Sequence, residues 1–198
     1  MTDDARALGM LAAIAMMGVA LSGCGGADAP AIAPEPDEPV TAPDSSETQV
    51  VVYKSRRQLI LFRPGMPPKT YHIALGAEPD GDKERQGDGR TPTGTFYVCE
   101  KNLESKYYLF IAISYPNEED ADRGLEAGLI TQAQHDAILA ALAARKTPPW
   151  HTRLGGEIGL HGGGASWDWT RGCVALDNGD MRELYALVRV GMTVIIKP

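Results

Sequence analysis

The sequence predicts a mainly β domain with helical insertions, an α+β fold. Three observations predict it. Short runs of β-branched and aromatic residues recur between turn-forming residues from Val50 onward. One block, residues 117–147, changes to Ala, Leu, Glu and Gln. The stretch before Gln49 is rich in proline and acid and matches neither pattern.

Residues 50–53, Val-Val-Val-Tyr, make a good first strand, and Arg56-Arg57 a polar turn. Residues 59–62 are a second strand, Arg63-Pro64-Gly65 a turn, and residues 70–75 a third strand. Closely spaced strands with such turns suggest an antiparallel meander. Residues 76–94 are rich in glycine, proline and charge and form a long loop, the kind that compact domains keep for function. Residues 95–99 and 109–115 are further strands. Within 117–147, Thr131 is an N-cap candidate, and Ile138, Leu139 and Leu142 recur at helical spacing. One or two helices are therefore inserted between strands. Residues 157–161 form a short strand running into Gly162-Gly163-Gly164. Asp177 or Asn178 caps a helix that buries Met181, Leu184, Tyr185 and Val188, with Gly191 as its stop. Residues 192–196 close the fold.

The 198 residues allow one ordinary domain plus extras. The formal charge of −7 belongs to the leading segments. Eight of the 26 acidic residues precede Gln49, but of the 19 basic residues only Arg6 does. The remainder is formally neutral, 18 against 18, and carries no basic patch, which argues against a nucleic-acid partner. Residues 7–20 are apolar or small, short for a membrane span but suited to the core of a signal peptide. They end in Leu21-Ser22-Gly23-Cys24, which resembles the lipobox of bacterial lipoproteins. That resemblance implies cleavage before Cys24 and lipidation of its thiol, so that the lipid holds the protein to a membrane. Asp3 and Asp4 against Arg6 and the amino terminus make the start weakly basic at best, and a retained N-terminal anchor helix is the alternative. Either places the domain outside the cytoplasm. The organisation is then residues 1–23 as signal peptide, 24–48 as lipidated cysteine and linker, and 49–198 as the folded domain. Five prolines in the linker keep it extended and solvated, with a reach on the order of 70 Å. Gly25 gives no acidic retention signal, which favours the outer membrane at its periplasmic face.

The densest chemical signal is Ile158-Gly159-Leu160-His161-Gly162, followed by Asp168-Trp169-Thr170-Arg171-Gly172-Cys173-Val174. A thiol becomes a strong nucleophile when a neighbour takes its proton, and histidine is the usual base. Gly172 permits unusual dihedrals and close approach beside the thiol. A tight turn there aims backbone N–H groups of Arg171, Gly172 and Cys173 at one point, as an oxyanion hole requires.

His161-Gly162 with Thr170-Arg171-Gly172-Cys173-Val174 resembles the active-site signature of L,D-transpeptidases of the YkuD type. Residues 59–62, Tyr71 to Gly76, Gly89-Arg90-Thr91-Pro92-Thr93-Gly94-Thr95-Phe96 and Ile113 to Pro116 resemble other stretches of the family, so the similarity spans about residues 50–198. Asp-Trp-Thr-x-Gly-Cys resembles the YafK-like subgroup. The resemblance implies a flattened β-barrel or sandwich with Cys173 near its mouth. It implies attack on peptidoglycan stem peptides between the L-centre of meso-diaminopimelate and a terminal D-alanine. A thioester forms, D-alanine leaves, and an amine resolves the intermediate, giving a cross-link or an attached protein. Resolution by water would make the enzyme a hydrolase, and some YafK-like relatives release a lipoprotein from peptidoglycan. An envelope lipoprotein is thus an acceptor or substrate candidate. No metal or organic cofactor is implied. Arg171 stands where the family often has histidine; a guanidinium pairs with a carboxylate but is no base, so His161 must serve. The carbonyl of Gly162 is the candidate for orienting its imidazole.

Other readings of single residues compete. Cys173 and Cys99 are the thiols left for a disulfide in an oxidising compartment, although Cys99 reads as a buried small hydrophobe. His72 reads as structural, His135 as solvated on a helix face, and His151 as a loop residue bordering the cleft. Four histidines at these spacings form no zinc motif. Trp169 joins Thr170, Arg171 and Arg90 as a candidate substrate contact; Arg90 reads equally as a solvated loop charge, Trp167 and Trp169 as core or cleft walls, and Asp168 as a cap of the turn. The 117–147 insertion is a lid or a buttress. The function readings are a peptidoglycan acyltransferase, a thiol hydrolase of the same polymer, and a non-catalytic peptidoglycan-binding lipoprotein.

Overall fold

A computed structural model describes residues 46–198. The expected signal peptide, Cys24 and nearly all of the linker lie outside the described residues. The elements are β1 (Gln49–Tyr53), β2 (Gln58–Arg63), β3 (Met66–His72), β4 (Gly94–Ser105), β5 (Tyr108–Ile113), α1 (Glu118–Glu126), α2 (Gln132–Ala143), β6 (Gly159–His161), β7 (Val174–Ala175), α3 (Asn178–Leu187) and β8 (Thr193–Lys197). The strands form one curled sheet in the order β3-β2-β1-β8-β4-β5-β6-β7. An isolated bridge between Ala74, just past β3, and Ala175 of β7 brings the two ends of the order together. The expected mainly β fold with helical insertions is what the structure has.

The sheet is not a simple meander. β1 pairs in parallel with β8, and β6 in parallel with β7. Alternate residues of successive strands, including Val50, Val52, Leu59, Leu61, Val98, Ile111, Leu160, Val174 and Val194, share one buried core. Burying each such side chain contributes about 1.5–3 kcal/mol. α3 adds Met181 and Leu184 to it, and its C-cap Val188 follows them in. The paired helices α1 and α2 have a smaller core of their own, Ala121, Ile130 and Ile138 closing on Leu154. Both begin with a capping box: Asn117 with Asp120, and Thr131 with Gln134. Among the described residues no helix is long and apolar enough to cross a membrane.

Three local expectations differ from the structure. The third strand runs from Met66 to His72 rather than over 70–75, and includes Pro67 and Pro68. It ends the strand order, and an edge strand tolerates prolines because it lacks a second neighbour needing their N–H. α3 ends at Val188 in extended conformation, before Gly191. Asp177 occupies the N-cap of α3 but makes no side-chain cap bond. Its carboxylate accepts instead from the N–H of Ala165 at 3.2 Å, and the Asn178 amide oxygen accepts from the N–H of Gly163 at 2.9 Å. The start of α3 therefore fixes the glycine loop after β6.

Candidate active site

The register of the parallel pair decides where the two candidate reactive side chains, His161 and Cys173, lie. Leu160 pairs with Val174 and His161 with Ala175, so one step back sets Gly159 beside Cys173. Side chains alternate between faces along a strand. Leu160 and Val174 point into the core. His161 and Cys173 share the opposite face as diagonal neighbours, a spacing that long side chains bridge. Trp169 packs on this same face against Ala175, Ala74 and Ala165.

His161 is buried, 2% exposed. Its Nδ1 donates to the carbonyl of Gly162 at 2.6 Å, which leaves Nε2 as the basic nitrogen. Burial lowers its pKa below the ordinary histidine value, with the Gly162 bond opposing in part. The imidazole is thus neutral at neutral pH. Burial also pushes the Cys173 thiol up to about 11, against the smaller opposing effects of the Gly159 N–H and the Lys83 ammonium. At rest the two are a thiol and a neutral imidazole, not an ion pair. The thiol donates to the carbonyl of Glu157 at 3.5 Å. Cys173 and Cys99 are both free thiols.

The turn before Cys173 is held from within. Thr170 Oγ1 donates to the Cys173 carbonyl at 2.7 Å and accepts from the Gly172 N–H at 3.1 Å. Gly172, expected among the oxyanion donors, therefore spends its N–H on Thr170. Of the expected three, the N–H groups of Arg171 and Cys173 are left for that role. Thr170, expected to touch substrate, is buried and shapes the turn. Gly172 has φ +127°, and a Cβ there would stand 2.6 Å from the Arg90 carbonyl oxygen. Both facts require glycine.

The turn is also held from outside. Asp168 accepts from Arg57 at 2.7–3.2 Å and from the Leu75 N–H at 2.8 Å. The Trp169 and Thr170 N–H groups both donate to the Leu75 carbonyl at 3.1 Å. On the other side, the loop of residues 76–94 is braced by a buried ion pair, Lys83 with Asp88 at 2.7 Å. Asp88 also accepts from the N–H groups of Glu84, Arg85 and Arg90.

Among the expected substrate contacts, Arg171 is exposed and Trp169 lies edge-on to His161, ring centroids 5.5 Å apart. The Arg90 guanidinium donates to the Asp82 carbonyl at 3.4 Å and the Glu84 carboxylate at 3.3 Å, and its backbone carbonyl lies against the turn at Gly172. His135 is not solvated as expected. It is 9% exposed and contacts Asp122 at 2.6 Å, because α1 and α2 pack face to face. His151 is exposed in its loop. Among the described residues no group of three or more His, Cys, Asp or Glu is placed to hold a metal ion. A cavity of about 430 Å³ lies beside Lys54, Arg57 and Asp82, and includes neither Cys173 nor His161.

Sequence reasoning missed Tyr107, whose ring stacks on His161 at 4.7 Å and 23°. Lys106-Tyr107-Tyr108 looks like any polar hairpin tip. Only the pairing of Phe110 with His161 brings that tip over the imidazole.

Compared with known proteins, residues 47–196 match the YkuD family, described as the L,D-transpeptidase catalytic domain. No curated protein sequence matches. Among solved structures, the helical cell shape determining protein Pgp2 from Campylobacter jejuni is similar, with 23% identity and a TM-score of 0.51. That match covers 78% of this chain and 48% of the other. An L,D-transpeptidase from Mycobacterium smegmatis is similar at 12% identity and a TM-score of 0.45, covering 77% of this chain and 59% of the other. At these identities the likeness concerns the fold alone. The chain spans about half to three fifths of the length of these relatives.

Proposed function

The chain belongs to the YkuD family of L,D-transpeptidase catalytic domains, and from this premise we propose that it is a cysteine acyltransferase acting on peptidoglycan stem peptides in the bacterial envelope. The observation that carries the proposal is the placement of Cys173 and His161 on one face of the β6–β7 pair, with the imidazole oriented by Gly162.

The reaction follows from the protonation states. The Cys173 sulfur forms a bond to the carbonyl carbon between the diaminopimelate L-centre and the terminal D-alanine, while its proton passes to His161 Nε2. The Arg171 and Cys173 N–H groups receive the oxyanion. The C–N bond then breaks, and the imidazolium returns the proton to the departing D-alanine amine. An acceptor amine attacks the thioester, His161 takes the amine's proton, and collapse expels the sulfur, which recovers that proton. Exposed Arg171 supplies a guanidinium for a substrate carboxylate, and Trp169 supports the loop behind it.

The motif Asp-Trp-Thr-x-Gly-Cys, which resembles that of the YafK-like subgroup, supports reading an envelope lipoprotein as a candidate acceptor or substrate. Cys24, lipidated after removal of residues 1–23, anchors it at the periplasmic face, at the outer membrane. Purified sacculi incubated with the enzyme test the proposal by the mass of the products. New cross-linked dimers indicate transfer; shortened or released stems turn the reading to hydrolysis. Full turnover by the Cys173→Ala variant would end both in favour of a binding protein.

A further inference from the structure

The His161 imidazole is enclosed by two aromatic rings. Tyr107 lies over one face, with centroids 4.7 Å apart and planes at 23°. Trp169 meets it edge-on at 5.5 Å and 66°, and touches Tyr107 at 5.6 Å. His161 is 2% exposed and Tyr107 38%, so Tyr107 is the layer between the imidazole and water.

Tyr107 sits at the tip of the β4–β5 hairpin, and the tip is tied down. The Tyr107 N–H donates to Ser105 Oγ at 3.1 Å. Tyr108, at φ 78°, turns the chain back, and its hydroxyl accepts from Arg182 of α3 at 2.9 Å. Phe110 then pairs with His161 itself. Three elements thus hold one ring in place over one imidazole.

We propose that Tyr107 is a positioning residue for the reaction: its stacked ring holds the His161 imidazole in the orientation that keeps Nε2 free for Cys173, and shields it from water. This rests on Cys173 and His161 being the reacting pair. The Gly162 bond fixes one edge of the imidazole but does not stop rotation about that edge; a ring flat against one face does. Aromatic rings favour stacked contacts of this kind, which hold one plane against the other. The titratable and charged groups around the cluster are the Tyr107 phenol and Lys106 on the hairpin, Cys173 beside β6, and Asp177 and Arg182 on α3. None of them outweighs burial as the cause of the lowered His161 pKa.

The test compares Tyr107→Phe and Tyr107→Ala in the full chain. Tyr107→Phe keeps the wild-type pH profile and kcat. Tyr107→Ala loses kcat by about tenfold or more with KM little changed, because misorientation acts on the reacting geometry. The acid limb of its kcat/KM profile moves up toward the ordinary histidine value. An NMR titration of His161 without substrate moves the same way, and reads the imidazole independently of any turnover. If sacculi give no product yet this titration shifts, the proposed reaction fails while the shielding by Tyr107 stands. Should Tyr107→Ala unfold, Tyr107→Leu, which keeps the tip apolar but lacks the flat ring, must shift the titration upward too. An unmoved titration with unchanged kcat in the folded variant, or a Tyr107→Phe as impaired as Tyr107→Ala, overturns the proposal.

Discussion

The imidazole of His161 gives its Nδ1 proton to the carbonyl of the next residue in the chain, Gly162, at 2.6 Å. A carbonyl only accepts, so this contact selects the tautomer without a carboxylate and leaves the pair formally uncharged. A first prediction concerns pH. The His161 pKa is lowered by burial, so the neutral base persists below the usual histidine range, and the acid limb of kcat/KM falls below about 6.5. The Cys173 thiol, raised to about 11, is not pre-ionised. Alkylation by iodoacetamide without substrate is therefore slow at pH 7 and climbs through pH 9 and above. A thiol that alkylates fully and fast at pH 6 would contradict the neutral pair.

Cys173→Ala loses turnover by about 10³-fold or more while the thermal unfolding midpoint stays close to wild type, because the thiol holds no part of the core. Intact mass after incubation with a carbapenem gives one adduct on the wild type and none on the variant.

Gly172→Ala meets two penalties at once, φ +127° and a Cβ 2.6 Å from the Arg90 carbonyl oxygen. The strain costs about 1–3 kcal/mol, and relief by moving the turn displaces the thiol. Denaturant unfolding reads the first and kcat the second; a variant stable and fully active would show that the turn is looser than its contacts indicate.

Asp168→Ala removes the partner of Arg57 and leaves the Leu75 N–H without its acceptor. The expected loss is about 1–3 kcal/mol. A double-mutant cycle with Arg57→Ala isolates the ion pair from the backbone bond, and the Arg57 variant is the milder of the two because Leu75 keeps its partner.

Lys83→Met strands the Asp88 carboxylate in a site where both side chains are nearly fully buried, 2% and 9% exposed. Removing one member of such a pair costs about 3–5 kcal/mol. Burial alone would raise the Asp88 pKa, but the Lys83 bond and three backbone N–H donors outweigh it and hold it below the usual value. A depressed folded pKa contributes stability above about pH 4 that is lost as pH falls through the folded value. The wild type therefore weakens on acidification below pH 4, and Lys83→Met shows less of that dependence. Urea midpoints between pH 2 and 7 measure both.

Most strands were legible because their signal is local. Val50 to Tyr53 and residues 59–62 are dense in β-branched and aromatic side chains, and the second helix of 117–147 begins at Thr131, the N-cap offered by the sequence. β7 was not legible: two residues carry no period, and Val174–Ala175 becomes a strand only by meeting β6. In the site, Cys173, His161 and the Gly162 carbonyl stand out as residue types in order. The commitment of the Gly172 N–H to Thr170 depends on how the turn folds on itself. The surroundings of Arg90 were hidden for a related reason: its charge answers Glu84 within its own loop while its carbonyl faces the turn. Tyr107 depends on a pairing between strands some fifty residues apart.

The strand nearest the end of the described chain, Thr193–Lys197, is inserted between β1 and β4. Until it emerges, the first hairpin and the β4–β5 ladder each expose an open edge, and the long-range pairings that join them cannot form. Folding of this domain is thus postponed until nearly all of it has been made. The two open edges are then closed by one and the same segment, so the halves of the sheet join in a single late step.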